Sequence, residues 1–402
     1  MNSGLLDFDD ARSQLLARAA ATGATERVPT LQAAGRVLAE PQVSALDVPP
    51  MDNSQMDGYA VRVSDVAAGR PLPVSQRIAA GQSPGPLAPG TVARIFTGAP
   101  IPQGADAVVM QEQVEYDAAA QTARLAATPS AGEWIRRRGE DIRAGATILP
   151  AGVRLTPQAL GLIASVGVAQ VRVHRRLRVG CFFTGDELAM PGEPLRPGAI
   201  YNSNRFVLTA LLSELGCDVV DLGIVPDTLA ATRAALRQAA ADCDLIVTSG
   251  GVSVGDEDHV KPAVQAEGEL QLWQIAIKPG KPLAYGRVAT AHFIGLPGNP
   301  VSAFVTFLLL VRPFVLRLQG VADVDARALA LRADFDWRKP DRRREFLRAR
   351  MNDSGGLDLF PNQGSAVLTS TVWADGLIDN PPQRAITRGD TVRFLPFSNL
   401  LR

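Results

Sequence analysis

The chain has 402 residues with 41 basic and 41 acidic side chains, and this balance excludes a nucleic-acid binder that relies on a broad basic field. With 46% hydrophobic and 20% charged residues it has the composition of a soluble globular protein. Its length predicts about two to four domains. Three histidines (His174, His259, His292) without ligand spacing argue against a zinc enzyme, and three scattered cysteines (Cys181, Cys217, Cys243) read as buried, reduced thiols.

The opening stretch "MNSGLLDFDDARSQLLARAAA" is acidic and amphipathic and lacks the plan of a signal peptide. The apolar run "AFVTFLLLV" (303–311) is too short to span a bilayer and stops at Arg312-Pro313, so a cytoplasmic location without membrane attachment is expected. Residues 1–45 look helical: Leu5, Phe8, Leu15 and Leu16 share one face, and "LQAAGRVLA" (31–39) suggests a second short helix. From 46 to 147, short runs such as "RPLPVSQRI", "TVARIFTGAPIP" and "DAVVMQEQVEY" broken by Pro and Gly predict a small β-rich domain. "TPQALGLIASVGVAQVRVHRR" (156–176) reads as a helix and a strand that could return the chain to the first zone.

Residues 177–320 alternate strand and helix. "LRVGCFF", "CDVVDLGIV", "DLIVTSGG" and "HFIGL" are the strands. "SNRFVLTALLSELG" carries Leu208, Leu212 and Leu215 on one face, and Thr228 can cap "TLAATRAALRQAAADC". The alternation predicts a doubly wound, mostly parallel sheet with helices on both faces. Residues 323–402 revert to short strands and a second small β domain.

In such a sheet the ligand site lies beyond the carboxyl ends of the strands. Three loops are expected there: "TGDEL" (184–188), "TSGGVSVGDED" (248–258) and "LPGNPVS" (296–302). Glycines let backbone N–H groups converge on an anion, and Ser249 and Ser253 add hydroxyls. Neither a Walker motif nor a GxGxxG fingerprint is present. Acids beside a phosphate loop make sense when a divalent cation intervenes, so Asp258 with Glu187 or Asp186 suggests an oxygen-only magnesium site. Asp256 and Glu257 read as helix-start residues. The chain holds four lysines against 37 arginines, yet Lys261, Lys278 and Lys281 follow the glycine loop closely, two of them in the stiff "IKPGKPLAYG". Taken alone, "PPMDNSQMDGYAVR" (49–62) and "RRRGEDIRAG" (136–145) read as loop chemistry or solvated charge clusters.

Together, "MDNSQMDGYAVR", "IFTGAPIPQGADAVVMQE", "RRRGEDIRAGATILPAG", "TGDEL", "YNSN", "TSGGVSVGDED", "IKPGKPLAYG" and "GLPGNPVSA" resemble the molybdopterin molybdenumtransferase family, of the MoeA and gephyrin E-domain type. The motifs run in the family's order across most of the chain. The resemblance implies an α/β multidomain fold in an elongated homodimer. Its domain I would be the mixed dimerisation domain (1–45 plus 148–176), with β-rich domain II (46–147), α/β molybdopterin-binding domain III (177–322) and β-rich domain IV (323–402).

The resemblance further implies insertion of molybdate into adenylylated molybdopterin, with release of AMP and magnesium as the ion, at a site between domain III of one subunit and domain II of the other. Carried over, Asp57, Thr97, Asp141, Glu187, Asp227, Asp258, Lys278 and Lys281 fall on functional positions, with Glu187 and Asp258 toward the metal. Ser249, Gly250, Gly251, Ser253, Gly255, Pro297, Gly298, Asn299, Pro300, Ser302, Arg344 and Ser365 would bind substrate, and molybdate would sit near Lys278, Lys281, Ser302, Arg344 and Ser365. Three positions depart from the family's pattern: Asn202 stands where aspartate is frequent, Asp256 replaces a glutamate, and Gln55 replaces a small residue. A molybdopterin adenylyltransferase and proteins that deliver the cofactor to molybdoenzymes are the partners implied. The alternatives are that adenylyltransferase activity itself, or a non-catalytic scaffold.

Overall fold

The computed structural model describes residues 5–251 and 259–401. Its central unit is a six-stranded sheet: β1 (Arg178–Thr184), β2 (Asp218–Val225), β3 (Leu245–Ser249), β4 (Gly268–Gln274), β5 (Pro282–Val288) and β6 (Ala291–Leu296), in spatial order β2-β1-β3-β6-β5-β4. β2, β1, β3 and β6 are parallel, and β5 and β4 add an antiparallel edge. Successive residues serve opposite faces, as the pleat requires. Cys181 and Phe183 pack toward α1 (Ser203–Glu214) and α4 (Pro300–Leu318), whereas Phe182 packs toward α2 (Leu229–Asp242) and α3 (Val260–Glu267). Leu208 and Leu212 of α1 and Leu215 at its C-cap are buried as expected, and the Thr228 hydroxyl accepts the Ala231 N–H at the start of α2.

α4 does not stop at Arg312-Pro313 but continues to Leu318. Pro313 has no N–H to give the preceding turn, and the helix widens into a π turn over Phe307–Val311 just before it. By length and composition this helix could cross a membrane, but 89% of its most apolar window is buried in the protein's own core.

Two expectations for the N-terminal zone need correcting. Helix Phe8–Leu16 forms, but its buried Phe8, Ala11 and Leu15 join the central core, and the Phe8 and Phe346 ring centroids lie 5.2 Å apart. The second helix does not form: a single 3-10 turn, Thr30–Gln32, is followed by bridges of Val37 to Arg154 and Leu38 to Val173. Backbone pairing with distant segments outweighs helix propensity over so short a stretch with a glycine in it. Helix Pro157–Ser165 and strand Gln170–His174 do return the chain, since that strand pairs antiparallel with Thr25–Pro29.

Between Asn53 and Arg136 lies a six-stranded sheet whose order runs Ala107–Met110, Gly58–Val61, Val92–Ile95, Pro71–Ile78, Thr122–Leu125, Val114–Asp117. At the C-terminal end, Arg344–Met351, Gly356–Leu359, Leu329–Ala333, Thr391–Pro396 and Gly376–Asn380 pair in a ring that closes on Arg344–Met351. Leu347, Leu357, Ile378 and Phe394 fill it.

The three cysteines are buried and unpaired, and desolvation pushes the Cys217 thiol up to about 12, so none is a ready nucleophile. His292 has its Nδ1 3.0 Å from the Tyr285 hydroxyl and lies edge-on to Phe314, and burial lowers its pKa from 6.5 to about 4. The folded protein therefore keeps this ring neutral where the unfolded chain takes up a proton, and stability drops as pH falls from 6.5 toward 4. His292→Phe is expected to flatten that part of the pH–stability curve in urea titrations. An unchanged slope would contradict this assignment.

Candidate active site

Phe183 pairs with Ser249 and Ser249 with Leu296, so β1, β3 and β6 end at one level and their following loops rise on the same edge. Across from them, the two-residue strand Ile277–Lys278 leaves the central unit and pairs in parallel with Arg344–Glu345 of the C-terminal ring. The "IKPGKP" loop is thereby held between the two units. The result is a cleft of about 980 Å³.

The floor of the cleft is locked by hydrogen bonds between its loops. Asn204 Nδ2 donates to Ser249 Oγ (2.7 Å) and to the Gly298 carbonyl (2.8 Å), and Ser249 Oγ donates to the Pro297 carbonyl (3.0 Å). Gly250 has φ +93°, and a Cβ there would sit 2.9 Å from the Thr184 carbonyl, so the turn into the loop requires glycine. The N-terminus of α4 opens onto the cleft at Asn299 and Pro300, and Val301 N–H donates to the Ser365 carbonyl, which ties in the loop from the C-terminal ring.

The cations are held from the C-terminal ring. Lys278 Nζ lies 3.3 Å from Glu345 Oε1 and 3.4 Å from Asp341 Oδ2. Arg343 lines the cleft and grips Asp341 with its Nε and Nη2, each at 3.0 Å. Arg343 and Lys278 hold the Asp341 carboxyl well below the usual carboxylate range, the Arg343 hydrogen bonds contributing most. Lys281 also lines the cleft, and it has no carboxylate partner among the described residues. Glu187 is the one acid on the walls among the described residues, while Asp341 and Glu345 pair with Arg343 and Lys278 from behind the walls.

Of the residues singled out in the sequence, Glu187, Ser249, Gly250, Gly251, Lys278, Lys281, Pro297, Gly298, Asn299, Pro300, Ser302 and Ser365 line this cleft. Ser253, Gly255, Asp256, Glu257 and Asp258 lie outside the described residues. Lys261 sits on α3, away from the cleft walls. Arg344 is corrected. Its Nε and Nη2 bind both oxygens of Asp379 (2.6 and 2.7 Å) and Nη1 binds Asp9 (2.8 Å), in a separate cavity beside helix Phe8–Leu16. Residues 343 and 344 point to opposite sides at the start of a strand, and it is Arg343 that faces the cleft.

Asp57, Thr97, Asp141 and Asp227 do not line this chain's cleft. Asp57 Oδ1 accepts both the backbone N–H and the hydroxyl of Thr97, each at 2.8 Å, and these bonds hold its carboxyl below the ordinary range. A Cβ on neighbouring Gly58 would meet the Val109 carbonyl at 2.0 Å, so "MDGY" admits only glycine at that strand crossing. Asp52 binds Arg137 Nη1 (2.7 Å) and the Arg138 N–H (2.8 Å), which joins the 49–62 and 136–145 segments, and Asp141 is exposed. Asp227 follows β2, and its Oδ1 is buried with no hydrogen-bond partner among the described residues.

Comparison with known proteins matches this arrangement along the whole chain. Residues 6–167 match the model of the "MoeA N-terminal region (domain I and II)", residues 180–317 the "Probable molybdopterin binding domain", and residues 330–397 the "MoeA C-terminal region (domain IV)". The molybdopterin molybdenumtransferase of Haemophilus influenzae is 41% identical over 99% of this chain and 100% of its own length. The chain belongs to the MoeA family of molybdopterin molybdenumtransferases. The Bacillus subtilis molybdopterin molybdenumtransferase is 35% identical over 93% of this chain and 90% of its own. The solved molybdopterin biosynthesis MoeA protein of Pyrococcus horikoshii superposes with a TM-score of 0.86 at 27% identity, covering 98% of this chain and 100% of that one.

As a MoeA-family enzyme the chain acts in molybdenum-cofactor biosynthesis. Two residues that line the cleft, Asn204 and Arg343, and two acids behind it, Asp341 and Glu345, escaped the sequence reading as site residues. Asn204 stood in view as the last residue of "YNSN". The other three carry no local signal, because their meaning depends on the pairing of Ile277–Lys278 with a strand 67 residues later.

Proposed function

We propose that the cleft binds adenylylated molybdopterin and molybdate, inserts molybdenum at the dithiolene and releases AMP. The observation that carries this reading is the convergence of Lys278, Lys281 and Arg343 with a glycine–serine loop and a helix N-terminus on one cavity. The Gly251 backbone and the dipole of α4 suit a phosphoanhydride, while the Gly250 N–H is held by the Leu296 carbonyl. Lysines suit a tetrahedral oxyanion, which they meet as compact point charges. Ser302 and Ser365 supply hydroxyls on the same walls. Holding the two reactants together accounts for the catalysis, since no nucleophile with a partner base faces the cleft among the described residues.

The donor set also admits magnesium. No group of three metal-ligating side chains occurs among the described residues, but this ion is commonly held by one or two carboxylates plus substrate phosphates. Glu187 would hold it, with Asp258 as second carboxylate, and bound there it would neutralise charge on the departing AMP.

In this reading a second copy of the chain supplies Asp57, Thr97 and Asp141, giving a homodimer with composite sites. The test is cofactor formation, read as reconstitution of a cofactor-free molybdoenzyme. Asp57→Asn and Lys281→Ala proteins, each strongly impaired alone, are expected to recover about a quarter of wild-type activity when mixed and allowed to exchange, because half the dimers then hold one intact site. No recovery despite verified exchange would place both residues in one chain's site and overturn the composite arrangement.

A further inference from the structure

Lys278 is not a simple rim lysine, because both of its carboxylate partners belong to the C-terminal ring. Lys278 and Glu345 are register partners in the short parallel pairing that joins the two units. Glu345 is fully buried, and its two oxygens do different work. Oε1 accepts from Lys278 at 3.3 Å, while Oε2 accepts from the Trp337 indole N–H at 2.8 Å and from Asn380 Nδ2 at 3.4 Å. Asp341, clamped by Arg343, lies on the ammonium at 3.4 Å. An ammonium has three N–H donors. One is given to Glu345, Asp341 meets the ammonium as an ion pair, and the ammonium still has donors for the cleft that Lys278 lines.

We infer that Glu345, with Asp341, is a positioning residue that aims the Lys278 ammonium at the oxyanion. The role requires a carboxylate, because every neighbour of Glu345 is a donor and both oxygens must accept. Glutamine has one acceptor oxygen. With two donors on the Trp337 side, that oxygen turns toward them, and the amide NH2 then faces Lys278 and drives it off its position. A flexible lysine without this anchor must lose rotamer entropy each time it meets its anion.

This inference rests on the oxyanion reading of the cleft, and calorimetric titration with inorganic molybdate separates the two. Lys278→Ala and Glu345→Gln are each expected to weaken molybdate binding about tenfold, the scale of one hydrogen bond to a charged group. The double variant is expected to bind no more weakly than Lys278→Ala alone. Asp341→Asn, at a more open site, should weaken binding in the wild-type background and not in Lys278→Ala, and it serves if Glu345→Gln fails to fold. Removing a carboxylate near a dianion would tighten binding on charge alone, and a merely structural defect would add to the lysine loss. Unchanged or tighter binding by Glu345→Gln and Asp341→Asn, or additive losses, overturns the positioning role. If Lys278→Ala binds molybdate as wild type does, the positioning role and the oxyanion reading fall together.

Discussion

Lys281→Ala is expected to lower kcat/KM for molybdate by about 100-fold, the scale seen when a preorganised donor to a developing or bound oxyanion is removed. The size follows from charge accounting within the cleft. Lys278 is shared between Glu345 and Asp341, and Arg343 is spent on Asp341, so both cations are largely compensated before any ligand arrives. Lys281 has no carboxylate partner among the described residues and brings its whole charge to an incoming anion. It is exposed, so its removal should leave thermal stability unchanged. Lys339, exposed and away from the cleft, is the matched control, and Lys339→Ala is expected to behave as wild type. Steady-state kinetics with varied molybdate, beside melting curves, make the comparison. An equal loss in Lys339→Ala would assign the effect to general charge rather than to the site.

Arg348→Ala is expected to destabilise the protein by about 3 kcal/mol in urea titrations, as removal of a fully buried, hydrogen-bonded cation does elsewhere. Arg348 is 0% exposed, and burial brings its pKa down to about 10, so it stays charged at neutral pH. No carboxylate offsets it among the described residues. Its guanidinium donates to Ser370 Oγ (3.1 Å) and to the carbonyls of Phe346 and Gly364 (3.2 Å each). Its backbone exchanges hydrogen bonds with the Gln363 amide at 2.9 and 3.0 Å. Alanine would leave these acceptors unpaired around a cavity. The same bonds fix the loop that carries Ser365 to the cleft, so Arg348→Ala should also raise KM for molybdate under conditions where it remains folded. A stability loss without a change in KM would separate the ring's core from the cleft wall.

These two residues show what local sequence could and could not reveal. The three loops on the carboxyl edge were legible because a short apolar strand followed by glycine and a helix start is a local pattern with one physical reading. Arg344 of "REFLR" turns to Asp379, and it is Arg343, the residue just before that motif, that faces the cleft. Deciding that needs the strand's phase, which one residue of offset reverses. The N-terminal helix was visible from its apolar face, but its destination against Phe346 was not, since periodicity says that a face is buried and not against what. A two-residue strand such as Ile277–Lys278 leaves no periodic trace at all. Because of it, the anchoring of Lys278 by Glu345 could be found only in three dimensions.

The reaction itself is measured as AMP release from adenylylated molybdopterin, followed with and without molybdate. AMP release is expected to require molybdate, to run at one per cofactor formed and to be lost in Lys281→Ala. Consumption of ATP with free molybdopterin, or AMP release indifferent to both molybdate and Lys281, would contradict this reading.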